Sequence, residues 1–130
     1  MTRSEQREEV FILVFEKTFH EEPIEFIIDS AKEIREDKIT DYIVDTAKGV
    51  YDFVDKIDSL IEENSIGWKI NRISRVALCI LRIAIYEIIY NENVPAGVAI
   101  NEAVELCKKY ATDDEKKFVN GVLGAISKNM

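Results

Sequence analysis

The chain has 130 residues, 47% of them apolar, with two prolines, five glycines and a formal net charge of −8. That length fits one domain able to bury roughly two-thirds of its unfolded surface without staples, and so few breakers favour long helices over a strand-rich fold. Overall acidity by itself argues against nucleic-acid binding, yet residues 1–65 hold 8 Lys/Arg and 18 Asp/Glu, a net of −10, while residues 66–130 hold 9 and 7, a net of +2. A local basic patch therefore belongs in the second half.

No run reads as a membrane span: the most apolar one, Val76 to Tyr90, is too short and contains Arg82 and Glu87. The opening MTRSEQREEV lacks the apolar core of a secretion signal, so a cytoplasmic protein is expected. Cys79 and Cys107 stand alone in apolar helical patterns, without a CxxC, and read as buried free thiols.

Helical spacing dominates, with no strand-like alternation and no repeat. A first helix is expected from about residue 3 to 19, with Val10, Leu13 and Val14 inward and Phe11 and Phe15 beside them. A second runs from Pro23 to about Glu36, with Phe26, Ile27, Ala31 and Ile34 as its apolar residues. Thr40 caps a third reaching about Asn64, its apolar face spaced by three and four through Ile43, Ala47, Val50, Val54, Ile57 and Ile61. Gly67 and Trp68 mark the junction between halves. From Ile70 to Tyr90 the chain is apolar on nearly every side, which predicts a central strut. Pro95 opens a helix to about Ala111, with Val98, Ala99, Ala103 and Leu106 inward. Thr112 to Glu115 then form an S/T-x-x-E capping box, starting a last helix that ends near Ser127.

In that last helix Val119, Val122, Leu123 and Ile126 form the buried stripe, with Phe118 on its margin directly after Lys116 and Lys117. Gly121 and Gly124 fall on the opposite, thin side. They either admit a close neighbour or are simply tolerated.

Catalytic and metal chemistry is missing. One histidine, His20, cannot build a metal cluster, and no Glu-x-x-His pairs exist for a di-iron site. There is no phosphate loop, no GxSxG and no Cys/His/Asn set. Arg82 with Glu87 and Glu102 is expected to make a semi-buried ion pair. The sequence reads as a non-enzyme without cofactor.

Four linked segments carry a more specific signal. Leu81-Arg82-Ile83-Ala84-Ile85-Tyr86-Glu87, Val94-Pro95, Val98-Ala99-Ile100-Asn101-Glu102-Ala103-Val104-Glu105-Leu106 and Lys117-Phe118-Val119-Asn120-Gly121-Val122-Leu123 resemble the NusB family in order and spacing. The match is close over residues 70–125 and looser at Arg3, Arg7-Glu8 and Leu13-Val14-Phe15. The resemblance implies an all-α bundle of about six or seven helices, one NusB-type domain over 1–130 with helical subdomains at 1–66 and 67–130, and a kink or break near residue 74 in the apolar Ile70–Tyr90 segment. It implies a transcription antitermination factor, pairing with the ribosomal protein NusE, holding boxA-type RNA and serving the RNA polymerase antitermination complex in ribosomal RNA operons. It leaves open a monomer or a homodimer. By position, Arg3, Arg7, Lys116, Lys117 and Phe118 correspond to RNA-contacting residues, and Phe15, Asn71 and Asp114 to partner-binding ones. Bases stacking on a ring beside a basic track is how single-stranded RNA is held without a duplex groove. Arg3 and Arg7 sit among Glu5, Glu8 and Glu9, a thinner basic arm than relatives have. That predicts weak RNA affinity alone and reliance on the partner, and leaves a protein-only adaptor as the alternative. The same fold also opens certain ribosomal RNA cytosine methyltransferases.

Overall fold

The structure, a computed structural model, describes residues 1–130. Its first helix begins at a second capping box, absent from the sequence reading. The Thr2 hydroxyl accepts from the Glu5 amide at 3.1 Å and the Glu5 carboxylate accepts from the Thr2 amide at 2.8 Å. Each partner satisfies an end-of-helix amide that would otherwise be orphaned. Seven α-helices follow in order: α1 Arg3–Lys17, α2 Ile24–Arg35, α3 Asp41–Asp52, α4 Val54–Asn64, α5 Arg75–Tyr90, α6 Ala96–Tyr110 and α7 Asp113–Lys128. There are no strands, as the composition and spacing predict.

Helix α5 is the strut. Ten of its 16 residues are buried, and it packs against α1, α3, α4, α6 and α7. Ser74 caps it by accepting from the Ala77 amide, and a 3-10 turn at Ile70–Arg72 precedes it, so the predicted break near residue 74 is present. The caps at Thr40 and Thr112 are also in place. Thirty-one buried apolar side chains form one cluster running through every helix.

Four expectations need correcting. The single helix expected from Thr40 to Asn64 is two. Phe53 leaves helical geometry (φ −115°, ψ 17°) and stacks its ring on Tyr90 at 3.9 Å, so a tertiary contact turns the chain where spacing alone reads through. On α2 the buried stripe is Ile24, Ile27, Ile28 and Ala31, which leaves Phe26 on the outer face and Ile34 at 83% exposure in the last turn. Val98 on α6 is exposed as well, because Ala99, Ala103, Leu106 and Cys107 make the inward stripe. Arg82 pairs with Asp58 of α4 at 2.8 and 2.9 Å, not with Glu87 or Glu102. Five residues at about 100° each place Glu87 well around α5 from Arg82, facing α1 instead.

Gly49 answers to a close approach that spacing did not reveal. A Cβ there would lie 2.2 Å from the Tyr86 ring. Gly121 and Gly124 have nothing near an added Cβ, so within the chain they are tolerated rather than required.

Candidate nucleic-acid and partner-binding surface

The capping box at Thr112 sets the first turn of α7 and with it the direction of Phe118. The Thr112 hydroxyl accepts from the Glu115 amide and the Glu115 carboxylate accepts from the Thr112 amide. The same carboxylate accepts from the Ser74 hydroxyl, tying the starts of α5 and α7 together. Those bonds, from Ser74 first and the Thr112 amide second, hold Glu115 below the usual carboxylate range. One turn further on, Phe118 is half-buried: one side packs on the core, the other faces a cleft of about 370 Å³ lined also by Trp68, Arg72 and Asp114. Lys116 and Lys117 precede it, half-buried and exposed, and neither has a carboxylate within ion-pair distance. A ring with an open side next to unpaired ammonium groups suits a stacked base and its phosphate.

Trp68, which the sequence marks only as a junction, stands 52% exposed with its ring 5.9 Å from Phe118. Its signal in the sequence is that it is the only tryptophan, standing next to a glycine between two helices.

Arg3 and Arg7 lie elsewhere and differ from each other. Arg3 is exposed, without a carboxylate partner, its guanidinium 4.0 Å from the centre of the Tyr42 ring. It lines a second cleft of about 350 Å³ with Tyr42, Asn91, Asn93 and Val98. Arg7 is 4% exposed. Its Nε and Nη2 donate to both oxygens of the buried Glu87, at 2.8 and 3.2 Å, and Tyr42 donates to the same carboxylate at 2.8 Å. Glu102 adds a longer contact at 3.7 Å. Burial pulls the Arg7 guanidinium down, and the bond and charge of Glu87 more than reverse it, so Arg7 stays cationic. Its charge is consumed inside the fold. The basic arm thus presents one free arginine, Arg3.

The residues matched to partner binding gather at the other end of α5. Phe15 is half-buried, stacked on Phe11 at 5.7 Å and edge-on to Phe19 at 5.1 Å. Spacing of four puts Phe11 and Phe15 on one face of α1, and Phe19 in the turn just past its end continues the row. Arg75, in the first turn of α5, lies 4.5 Å from the Phe19 ring centre. Asn71 is exposed in the 3-10 turn just before it, and Asp114 is exposed on the lip of the Phe118 cleft. So Phe15, Asn71, Asp114, Lys116, Lys117 and Phe118 share the start of α5, marked by the Ser74–Glu115 bond. Arg3 and Arg7 stand near Glu87 at its other end, about 20 Å away at 1.5 Å per residue.

No three His, Cys, Asp or Glu side chains converge to hold a metal ion, and no helix is long and apolar enough to cross a membrane. The only thiols, Cys79 and Cys107, are buried, and burial pushes them up to about 12 and about 11, away from any nucleophilic state near neutrality.

An all-helical bundle that offers an open aromatic ring among unpaired cations, rather than convergent catalytic groups, has the architecture of a binding protein. The sequence model of the NusB family matches residues 4–128. The transcription antitermination protein NusB of Agathobacter rectalis is 41% identical over 128 residues, 95% of this chain and 97% of that one. A structure of T. maritima NusB superposes with a TM-score of 0.85 at 33% identity, covering 98% of this chain and 92% of its own. A chain from the crystal structure of antitermination factors NusB and NusE in complex with dsRNA superposes with a TM-score of 0.85 at 27% identity, covering 100% of both. The chain belongs to the NusB family.

Proposed function

We propose that this protein is a transcription antitermination factor that pairs with NusE and holds boxA-type single-stranded RNA in ribosomal RNA transcripts, acting in the cytoplasm as a binding protein and not as an enzyme. The observation that carries this is the superposition, over the whole length of both chains, on the NusB chain of the NusB–NusE–dsRNA complex. The surface agrees with it. Phe118 supplies the stacking ring, Lys116 and Lys117 neutralise phosphates beside it, and Arg3 takes the strand at the far end of α5. About 20 Å between the two ends corresponds to on the order of six stacked nucleotides at about 3.4 Å each. Arg7 serves as a positioning residue, fixing α1 on α5 so that Arg3 faces the strand. Phe15, Asn71 and Asp114 face NusE, whose ribosomal-protein basicity suits the acidic first half. The halves 1–66 and 67–130 work as one unit jointed at the linker that carries Trp68.

In vitro transcription tests this reading. Added together with NusE, the protein raises read-through of a terminator on a template whose transcript carries boxA, and does so less on a scrambled template. Equal read-through on both templates, or none, contradicts it.

A further inference from the structure

The linker between α4 and α5 turns at Gly67, the one residue of the chain with a positive φ, +80°. That conformation suits glycine and strains other residues. The consequence is outward presentation of the next side chain. Trp68 is 52% exposed, while its backbone is fixed from both sides: its amide donates to the Ser65 carbonyl at 3.0 Å and its carbonyl accepts from the Ser65 hydroxyl at 3.0 Å. Ser65 itself is 3% exposed, so the anchor lies in the core. A large ring on a fixed backbone, left half in water, contributes to folding only part of what its full burial would.

The ring does have a neighbour. It sits 5.9 Å from Phe118 at an interplanar angle of 60°, forming two walls of a corner instead of a closed stack. A flat group laid on one ring meets the other at its edge, the arrangement aromatic quadrupoles favour. Arg72 lines the same corner, with Asp114 and Glu115 on its α7 side, and neither Arg72 nor the neighbouring Lys69 has a carboxylate within ion-pair distance. Two open rings with unpaired cations around them fit an unstacked base with its phosphate better than an aliphatic protein side chain, which would leave those charges unused.

We propose that Trp68 is a second base-stacking surface, completing with Phe118 a two-walled site for a single unstacked RNA base, and that Arg72 takes the adjoining phosphate. This rests on the RNA-binding reading above and adds to it residues on a different segment of the chain. The fold builds the site from two elements, the Gly67 turn and the first turns of α7, joined through the Ser74–Glu115 bond.

Trp68 is the only tryptophan of the chain, so it also reports on itself. Unlabelled boxA-type RNA is titrated into the protein with NusE while tryptophan emission is followed. The same titration on Trp68→Phe identifies the part of the signal that belongs to Trp68. Affinity is read in parallel from the anisotropy of labelled RNA. The expected result is RNA-dependent quenching lost in Trp68→Phe, a weakening of roughly 5- to 150-fold in Trp68→Ala, and near wild-type affinity in Trp68→Phe, which keeps a ring. Arg72→Ala lowers the salt slope by about 0.7 and keeps the quenching. Unfolding midpoints of Trp68→Phe and Arg72→Ala stay at the wild-type value, and Trp68→Ala loses no more than Phe118→Ala does. If RNA binds Trp68→Ala as tightly as wild type and emission ignores it, the inference fails and the RNA-binding reading stands. If emission responds to NusE alone and not to RNA, the ring belongs to the protein interface and the inference is overturned. If wild type binds no RNA with or without NusE, both fail.

Discussion

Arg3 and Arg7 sit one helical turn apart, carry the same charge and end in opposite environments. The difference lies in what stands opposite each: Glu87 of α5, 1% exposed, pairs with Arg7, while Arg3 meets the face of Tyr42 on α3. Removing one member of a buried ion pair strands the other, so Arg7→Ala is expected to lower unfolding free energy by about 3–5 kcal/mol. Arg3→Ala stays within about 0.5 kcal/mol, as an exposed change does. Urea denaturation of both variants checks this, and similar values for the two would contradict the assignment of Arg7 to the fold. The double change Arg7→Met with Glu87→Leu is expected to recover most of the loss, since both charges leave the interior together. Phe118 behaves oppositely. Half-buried, it costs roughly 1 kcal/mol as Phe118→Ala, below the 3–5 kcal/mol of a fully buried ring, while RNA affinity drops by the roughly 5- to 150-fold of one lost stack. A stability loss of about 3 kcal/mol or more with unchanged RNA affinity would return the ring to the core. The lysines, the phenylalanine and its half-burial are legible in the sequence, because helical phase alone puts residue 118 on the edge of the stripe. That Arg7 is not free was illegible, because its partner lies 80 positions away.

At the level of elements, local chemistry marked the ends and tertiary contact decided the middles. Thr40 and Thr112 are readable as caps because a hydroxyl before an apolar run has few other uses. The break at Phe53 is not readable, because no proline or capping motif marks it and the contact that goes with it is with Tyr90 of α5. Apolar residues on α2 read as inward wherever they fell, and Phe26 and Ile34 show that the stripe, not the residue type, decides burial. Gly49 belongs here too. In an isolated helix Gly49→Ala would gain about 1 kcal/mol. In this fold the added methyl meets the Tyr86 ring, which itself neighbours Phe53 and Tyr90. Overpacking of about 1–3 kcal/mol is therefore expected to outweigh the gain. Thermal unfolding of Gly49→Ala reads the sign, and combining it with Tyr86→Ala should restore the helix gain. A stabilised single variant would mean that the ring swings aside without cost.

Across the whole molecule, acidity and RNA binding are reconciled by where charge lies. The first half carries −10, and its one free arm arginine is Arg3; in the second half Arg72 lines the Phe118 cleft and Lys116 and Lys117 directly precede the ring, all three unpaired. Acid stability follows from the joint between α5 and α7. Glu115 is held below the ordinary Glu value of 4.5 by Ser74 and by the Thr112 amide. A group whose folded value is depressed contributes stability that is present above its unfolded value and is lost as pH falls through the folded one. Lowering the pH below about 4.5 should thus weaken wild type more than Glu115→Gln, which keeps the capping geometry without the titration; chemical unfolding at pH 7 and at pH 3.5 measures the difference, and parallel losses in both proteins would contradict it. The sparse basic arm carries the larger consequence. With few phosphate contacts of its own, the isolated protein is expected to bind RNA weakly and to rely on NusE for the rest. The measurement that meets this most directly is a salt-series titration of labelled boxA-type RNA against a scrambled RNA, with and without NusE. Weak, shallow-sloped binding alone that becomes tight and sequence-selective with NusE is the predicted result. Nanomolar selective binding by the isolated protein at physiological salt, or partner binding that brings no RNA selectivity, would contradict it.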